Sequence, residues 1–93
     1  MQPEERLLVA NHMVVCREEF DNWAILFDPD TGKALGINPV SVIIWKNLDG
    51  KNSTKDLMQK IKENFSEVPE DAAVQTEHFL RELTDNGFAG YEV

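Results

Sequence analysis

The fold is decided by Lys-Ala-Leu-Gly-Ile-Asn-Pro at residues 33–39, which is followed by Ile-Trp-Lys-Asn-Leu-Asp-Gly at residues 44–50. Asn38 can cap a helix with its side-chain oxygen, and Pro39 suits the first helical position because an N–H there has no partner in the helix. Gly50 suits the left-handed conformation just past a helix end. The segment therefore predicts a short strand that joins directly to a helix.

The strand before Asn38 has few bulky polar side chains, and its Ala34 and Gly36 are small. A strand at the edge of a sheet exposes unpaired N–H and C=O groups. Small side chains at that edge let a second backbone come close. We therefore expect the function to lie at this edge and not in a catalytic cluster.

The composition bounds the class of protein. The 93 residues, 42% hydrophobic and 28% charged, predict one soluble globular domain over residues 1–93. Residues 1–6 are polar, lack the apolar core of a secretory signal and are predicted to be a mobile tail. The apolar runs are too short to cross a bilayer. The single Cys16 has no internal disulfide partner, which favours a reducing compartment, and we predict a cytoplasmic protein with no membrane contact.

The charge balance also excludes a class of partner. The chain has 9 basic and 17 acidic residues, a net charge of −8. Such a chain should not bind phosphate backbones, so no nucleic-acid partner is expected. No Cys or His lies near Cys16 at metal-ligand spacing, and Asp28 and Asp30 are too few for a calcium loop, so neither a metal nor another cofactor is predicted.

Two strands are predicted before the strand of the opening segment. One lies near residues 12–18, after a break at Asn11-His12, and the other covers residues 23–27. Asp-Pro-Asp-Thr-Gly at residues 28–32 has strong turn chemistry, since Pro fixes one dihedral angle and Gly allows a positive one. The second strand and the strand at 33–37 should therefore form an antiparallel hairpin.

Three helices are predicted after the strands. The first covers residues 39–48, where the capping signals outweigh a run of β-branched residues. The second runs from about residue 54 to residue 65, with Ser53 or Thr54 as its cap, and the third opens at Pro69 and runs to about Asn86. The order predicts an α+β fold in which a three-stranded antiparallel sheet is followed by a three-helix cluster, in a winged-helix-like arrangement.

Several large side chains are predicted to be core. Trp23 and Trp45 each lie in an apolar run and are interpreted as core anchors. Thr76, Leu80 and Leu83 form the expected core stripe of the third helix. Phe79 flanks that stripe, and the pattern leaves open whether it lies in the core or in a cleft.

These features together resemble the PqqD-like proteins, which are small recognition domains for the precursors of ribosomally synthesised, post-translationally modified peptides (RiPPs). The resemblance covers roughly residues 7–90. It is carried by the strand ending in Gly-Ile-Asn at 36–38, the Ile-Trp-x-x-Leu-Asp-Gly block at 44–50, Ser-x-x-Asp-Leu at 53–57 and Phe-Leu-x-x-Leu-x-x-x-Gly-Phe at 79–88. The chain departs from the family pattern at Gly36, where a branched apolar residue is more usual, and at Thr76, where an aliphatic one is.

The resemblance implies a non-catalytic peptide chaperone. Such a domain binds the leader segment of a precursor peptide and presents the peptide to a maturase. The maturase is often a radical S-adenosylmethionine (SAM) enzyme of the SPASM type, which carries extra iron–sulfur clusters. In the family, the leader adds as a further strand to the third strand, in a cleft against the third helix.

Carried onto this chain, the resemblance gives ten candidate peptide-binding residues on two elements. The strand contributes Lys33, Ala34, Leu35, Gly36 and Ile37. The third helix contributes Asp71, Gln75, His78, Phe79 and Glu82. Phe79 would contact an apolar leader residue, whereas Asp71, Glu82 and Lys33 would hold charges at the rim, where they affect selectivity more than affinity.

Three alternatives stay open from the sequence. An enzyme is disfavoured because no nucleophile–base pair or phosphate-binding loop is found. A winged-helix DNA binder is disfavoured because Arg81 is the only basic residue in segment 70–86, which carries five acidic ones. An adaptor with the same fold but a different protein partner is not excluded.

Overall fold

The computed structural model describes residues 7–68 and 70–91, with side chains up to residue 90. The predicted mobile tail at 1–6 and the predicted helix start at Pro69 lie outside the described residues. The elements in chain order are β1 (Leu8–Ala10), β2 (Val15–Glu18), a short 3₁₀ turn (Phe20–Asn22), β3 (Ala24–Phe27), β4 (Ala34–Ile37), α1 (Pro39–Lys46), α2 (Thr54–Asn64), α3 (Ala72–Asp85) and β5 (Ala89–Tyr91).

The predicted antiparallel sheet is present, with strand order β2-β3-β4. The hairpin of β3 and β4 is closed by the turn at 28–32, where Gly32 has a φ of +77° and Asp28 accepts a hydrogen bond from the Gly32 N–H at 2.8 Å. In this register Cys16 pairs with Leu26, and Leu26 pairs with Leu35. These three residues therefore form one row across the inner face of the sheet, from one edge to the other.

A second sheet was not predicted. It consists of β1 and β5, which run antiparallel with Leu8 opposite Tyr91. The connection between α1 and α2 joins the same region, because the Ala10 N–H donates to the Leu48 carbonyl at 2.9 Å and the Gly50 N–H donates to the Leu8 carbonyl at 3.1 Å. The described chain after α3 thus ends in a strand, β5.

Helix α1 begins as its sequence predicts. The Asn38 side-chain oxygen accepts a hydrogen bond from the Ser41 N–H at 2.8 Å. The helix ends at Lys46, with Asn47 as its C-cap, so the prediction of an end at Leu48 was two residues too long. Gly50 does have a positive φ of 79°, but it lies in the connection to α2 and not directly after the helix.

Local hydrogen bonds and backbone angles explain where the other two helices begin or end. Ser53 and Asp56 form a reciprocal capping box at the start of α2, and the hydrogen bond from the Ser53 backbone lowers the pKa of the Asp56 carboxyl. Helix α3 begins at Ala72, later than predicted, and ends at Asp85; Asn86 is its C-cap, and Gly87, with a φ of +78°, follows. The Phe88 N–H then donates to the Leu83 carbonyl at 2.8 Å, so Phe88 turns back into the core.

The core lies between the inner face of the sheet and the three helices. Trp45, Thr76, Leu80 and Leu83 are buried as predicted. The prediction that Trp23 is a core anchor was wrong, because its side chain is 51% exposed. In β3 the buried residues alternate with exposed ones, and Trp23 has the same parity as the exposed positions.

In the part of the chain that the structure describes, no helix is long and apolar enough to span a membrane.

Candidate functional site

The free edge of β4 exposes the backbone groups of two small residues. The Asp28 N–H donates to the Lys33 carbonyl at 2.9 Å, which marks this pair as hydrogen-bonded across the hairpin. Because hydrogen-bonded pairs alternate along an antiparallel ladder, Leu35 also bonds to β3. The N–H and C=O groups of Ala34 and Gly36 therefore point away from β3, toward the open side of the sheet.

A cleft runs beside this edge, between β4, the beginning of α1 and α3. Its volume is about 410 Å³. Its apolar lining, which is buried or half-buried, comes from Leu35, Ile37, Val40, Ile44, Ala72 and Phe79. Its polar lining comes from Asn38, Ser41, Gln75, Thr76, His78 and Glu82. An extended peptide on β4 would thus meet apolar side chains along one side and hydrogen-bonding groups at the rim.

A shallower depression extends this cleft toward the hairpin turn. It is lined by Lys33, Ala34, Leu35, Glu82, Asn86 and Phe88. Leu35 and Glu82 line both depressions, so the two form one continuous groove along β4. The groove has opposite charges, Lys33 and Glu82, in its lining near the turn.

The structure brings together nine of the ten sequence-predicted site residues. The five strand residues and four from α3, namely Gln75, His78, Phe79 and Glu82, line the groove. Asp71 is the exception, because it lies at the N-cap of α3, where its carboxylate accepts a hydrogen bond from the Gln75 amide at 2.7 Å. Asp71 is therefore linked to the groove through Gln75, which lines it. The peptide-binding role of all ten stays a prediction.

Sequence reasoning missed the contribution of α1 to the cleft. Asn38, Val40, Ser41 and Ile44 all line it. The direct junction between the strand and the helix could have predicted it, because such a junction leaves the first helical turn beside the end of the strand. Phe79, which the sequence could not assign, is 8% exposed and also lines the cleft, so it belongs to both core and cleft.

The opposite edge of the sheet, β2, is built differently. There the Glu18 carboxylate forms an ion pair with the Lys46 ammonium of α1 at 3.2 Å, and Arg17 pairs with Glu19 at 3.2 Å. A smaller depression of about 230 Å³ is lined by both members of the Glu18–Lys46 pair. Burial raises the pKa of the Cys16 thiol, and the nearby Glu18 charge adds to that rise.

Metal ligands are not clustered in residues 7–68 and 70–91, where no group of three or more His, Cys, Asp or Glu side chains could hold an ion.

Comparison with known proteins gives the family. Residues 24–89, more than half of the chain, match the sequence model of the family described as Coenzyme PQQ synthesis protein D (PqqD). The chain belongs to the PqqD family. The matched region begins at β3 and ends at the first residue of β5, so it contains the whole groove along β4. No match was found among curated proteins.

A solved structure shares the PqqD-family fold of this chain. It is that of TbiB1 in complex with the TbiA(beta) leader peptide. The TM-score is 0.69 at 22% sequence identity, and the match covers 91% of this chain and 99% of the TbiB1 chain. The α+β fold predicted from the sequence is thereby confirmed.

Proposed function

We propose that this protein is a non-catalytic, single-domain peptide chaperone that binds the leader segment of a ribosomally made precursor peptide by strand addition to β4. It then presents the precursor to a radical SAM maturase of the SPASM type. The observation that carries the proposal is the placement of the outward-facing Ala34 and Gly36 amides beside an apolar groove. Membership in the PqqD family and the fold shared with TbiB1, which was solved with a leader peptide, support it.

Strand addition explains why a groove must lie next to the edge. The guest backbone would pair with the N–H and C=O groups of Ala34 and Gly36, which supplies affinity that is largely independent of sequence. Every second guest side chain would point to the helix side, toward Leu35 and Phe79. The aliphatic and aromatic lining would favour apolar residues at these positions, and the sequence of the leader would be selected there.

The rim adds charge selectivity. Glu82 and His78 lie on α3 beside the apolar lining, and both are exposed. Because the chain has a net charge of −8, a leader with basic residues flanking its apolar positions would be attracted and oriented faster than an acidic one. A guest residue facing Glu82 should accordingly be basic or a hydrogen-bond donor.

An amide NMR titration tests the proposal directly. The ligand is a synthetic leader segment of the precursor peptide encoded nearest to this gene, and the control is a scrambled peptide of the same composition. We expect shifts concentrated in residues 33–37 and 72–82, with little change in β2. If the peptide causes no shifts but the neighbouring purified enzyme does, the protein is an adaptor and the leader-binding proposal is wrong.

A further inference from the structure

The outer face of the three-stranded sheet is unusually apolar. Among the described residues, seven large hydrophobic side chains are exposed: Met13, Val15, Phe20, Trp23, Ile25, Phe27 and Val74. Six of them lie on or beside β2 and β3, and Val74 alone lies on α3. Scattered exposed apolar residues are normal, but a contiguous group on one face marks an interaction surface.

The register shows that the central residues of this group are neighbours. Trp23, Ile25 and Phe27 follow one another at every second position, so their side chains are on the same face of the sheet. Val15 lies directly opposite Phe27 on β2. We call the surface formed by Val15, Trp23, Ile25 and Phe27 the outer patch.

The outer patch is open toward the proposed peptide site. On the β4 side, Phe27 is opposite Ala34 and Ile25 is opposite Gly36, so no large side chain separates the patch from the free edge. A guest strand on β4 would place every second side chain on this same outer face, beside Ala34 and Gly36. The patch and the bound peptide would then form one continuous surface.

The turn between β2 and β3 extends this surface with a third aromatic side chain. Asp21 and Asn22 have positive φ angles of 56° and 68°, which are uncommon for residues other than glycine. Phe20, at the same turn, is 86% exposed. A turn that leaves an aromatic ring in solvent adds exposed apolar area at this end of the sheet.

We propose that the outer patch is the docking surface for the folded enzyme that modifies the bound peptide, and this inference rests on the function proposed above. The partner surface should be apolar at its centre and basic toward the two turns, because Asp21 and Asp30 lie in the turns at the two ends of the patch and the whole chain carries a charge of −8. It should offer an acidic group to Arg17, which lies opposite Ile25 on the same face and is exposed. A second copy of this chain fits less well, since it would bring an equal negative charge against the first.

Docking on this face would couple enzyme binding to peptide binding. An enzyme on the outer patch would also contact the outward side chains of the guest strand, so it would bind the loaded protein more tightly than the empty one. Peptide and enzyme would each raise the affinity of the protein for the other by the same factor. The enzyme would therefore bind the peptide-loaded protein in preference to the empty one.

The experiment compares a double variant, Ile25→Thr with Phe27→Thr, with a control variant, Val74→Thr. Threonine keeps the strand preference of the two sites, and all three side chains are exposed, so both proteins should fold, which thermal melts by circular dichroism will check. Calorimetry measures the affinity of each for the synthetic leader peptide and for the purified enzyme encoded beside this gene, with and without peptide. Trp23→Ser provides a second variant should the double variant melt early.

We expect the double variant to lose about tenfold or more in affinity for the enzyme, whereas its affinity for the peptide stays within about twofold. Val74→Thr should match the wild type in both. Unchanged enzyme affinity in a folded double variant overturns the proposal, as does wild-type protein that binds no enzyme in either state. Concentration-dependent self-association that the double variant abolishes would assign the patch to a second copy and also overturn it.

The same experiment separates failure of this inference from failure of the proposed function. If the wild type binds no leader peptide, the chaperone function fails. Selective loss of enzyme binding by the double variant would still support the outer patch as an enzyme-docking surface in that case.

Discussion

The two edges of the three-stranded sheet, β4 and β2, both have outward-pointing backbone groups but face different surroundings. At β4, the outward backbone groups of Ala34 and Gly36 lie beside an open groove of about 410 Å³. At β2, the Glu19 N–H donates to the Trp23 carbonyl, so by the same alternation the groups of Cys16 and Glu18 point outward. Here, however, the Glu18 side chain is paired with Lys46 of α1.

An unpaired sheet edge is therefore not in itself a binding site. Charged side chains are one of the ordinary means by which proteins keep sheet edges from pairing with other chains. The β2 edge has such charges, whereas the β4 edge has small side chains and an adjacent apolar groove. Exposed backbone, small residues and a groove together are the reasons why we propose β4, and not β2, as the edge that binds a peptide.

The largest effect is expected from a proline on the β4 edge. Gly36→Pro removes an outward N–H and puts a ring where the guest backbone would lie, so peptide affinity should fall by about a hundredfold or more. The fold should tolerate it, because a Cβ at Gly36 would meet no atom within 4 Å and edge strands accept proline. Isothermal calorimetry with the leader peptide measures the change.

The matched control is a proline on the other edge. Glu18→Pro also removes an outward N–H, together with a surface ion pair that contributes at most about 1 kcal/mol. Its peptide affinity should equal that of the wild type. Full affinity in a folded Gly36→Pro variant, or a large loss in Glu18→Pro, would reverse the assignment of the two edges.

A smaller effect is expected along the cross-strand row of Cys16, Leu26 and Leu35, whose two ends lie at the two edges. Leu35→Ala removes an apolar contact from the groove and should weaken peptide binding by about tenfold, which is about 1.4 kcal/mol. It should also lower the free energy of unfolding by about 1 to 2 kcal/mol, because the side chain is half-buried.

Cys16→Ala changes the other end of the same row and should leave peptide affinity unaltered. Chemical denaturation and the peptide titration, carried out on both variants, separate stability from binding. An equal loss of peptide affinity in both variants would mean that the row acts through the sheet as a whole and not through the groove.

The smallest effect concerns the rate at which the Cys16 thiol is alkylated. Because its pKa is raised, mainly by burial, less thiolate is present at pH 8 than in a free thiol, and iodoacetamide should react severalfold more slowly. The rate should rise with pH and should level off only at a pH above the pKa of an ordinary thiol. Saturating leader peptide should leave the rate unchanged, and a marked slowing by peptide would place the guest on β2.

The local signals in the sequence were sufficient for the sheet hairpin and the helices. Asn38 and Pro39 begin α1 despite its β-branched residues, since the cap satisfies a free N–H at the end where no helical partner exists. Ser53 and Gly87 mark their helix ends for equally local reasons. The sequence also predicted the groove, because the family resemblance implies a cleft between the third strand of the sheet and the third helix.

Two features had no local signal. The pairing of β1 with β5 joins residues about 80 positions apart, in strands of three residues each, and nothing in either segment alone indicates a partner. The exposure of Trp23 was missed because Trp-Ala-Ile-Leu-Phe at 23–27 is apolar on both faces, so alternation could not say which face is buried. For the same reason, the sequence did not predict that the residues of the outer patch on β3 are exposed.

The pairing of β1 with β5 has a consequence for how this domain can be combined with others. Leu8 and Tyr91 are opposite each other in the ladder, so chain attached before one and after the other leaves the domain at nearly the same point. This point is distant in sequence from β4, and the segments there do not line the groove. Because its two attachment points lie side by side, the domain is suited to insertion into a surface loop of an unrelated protein.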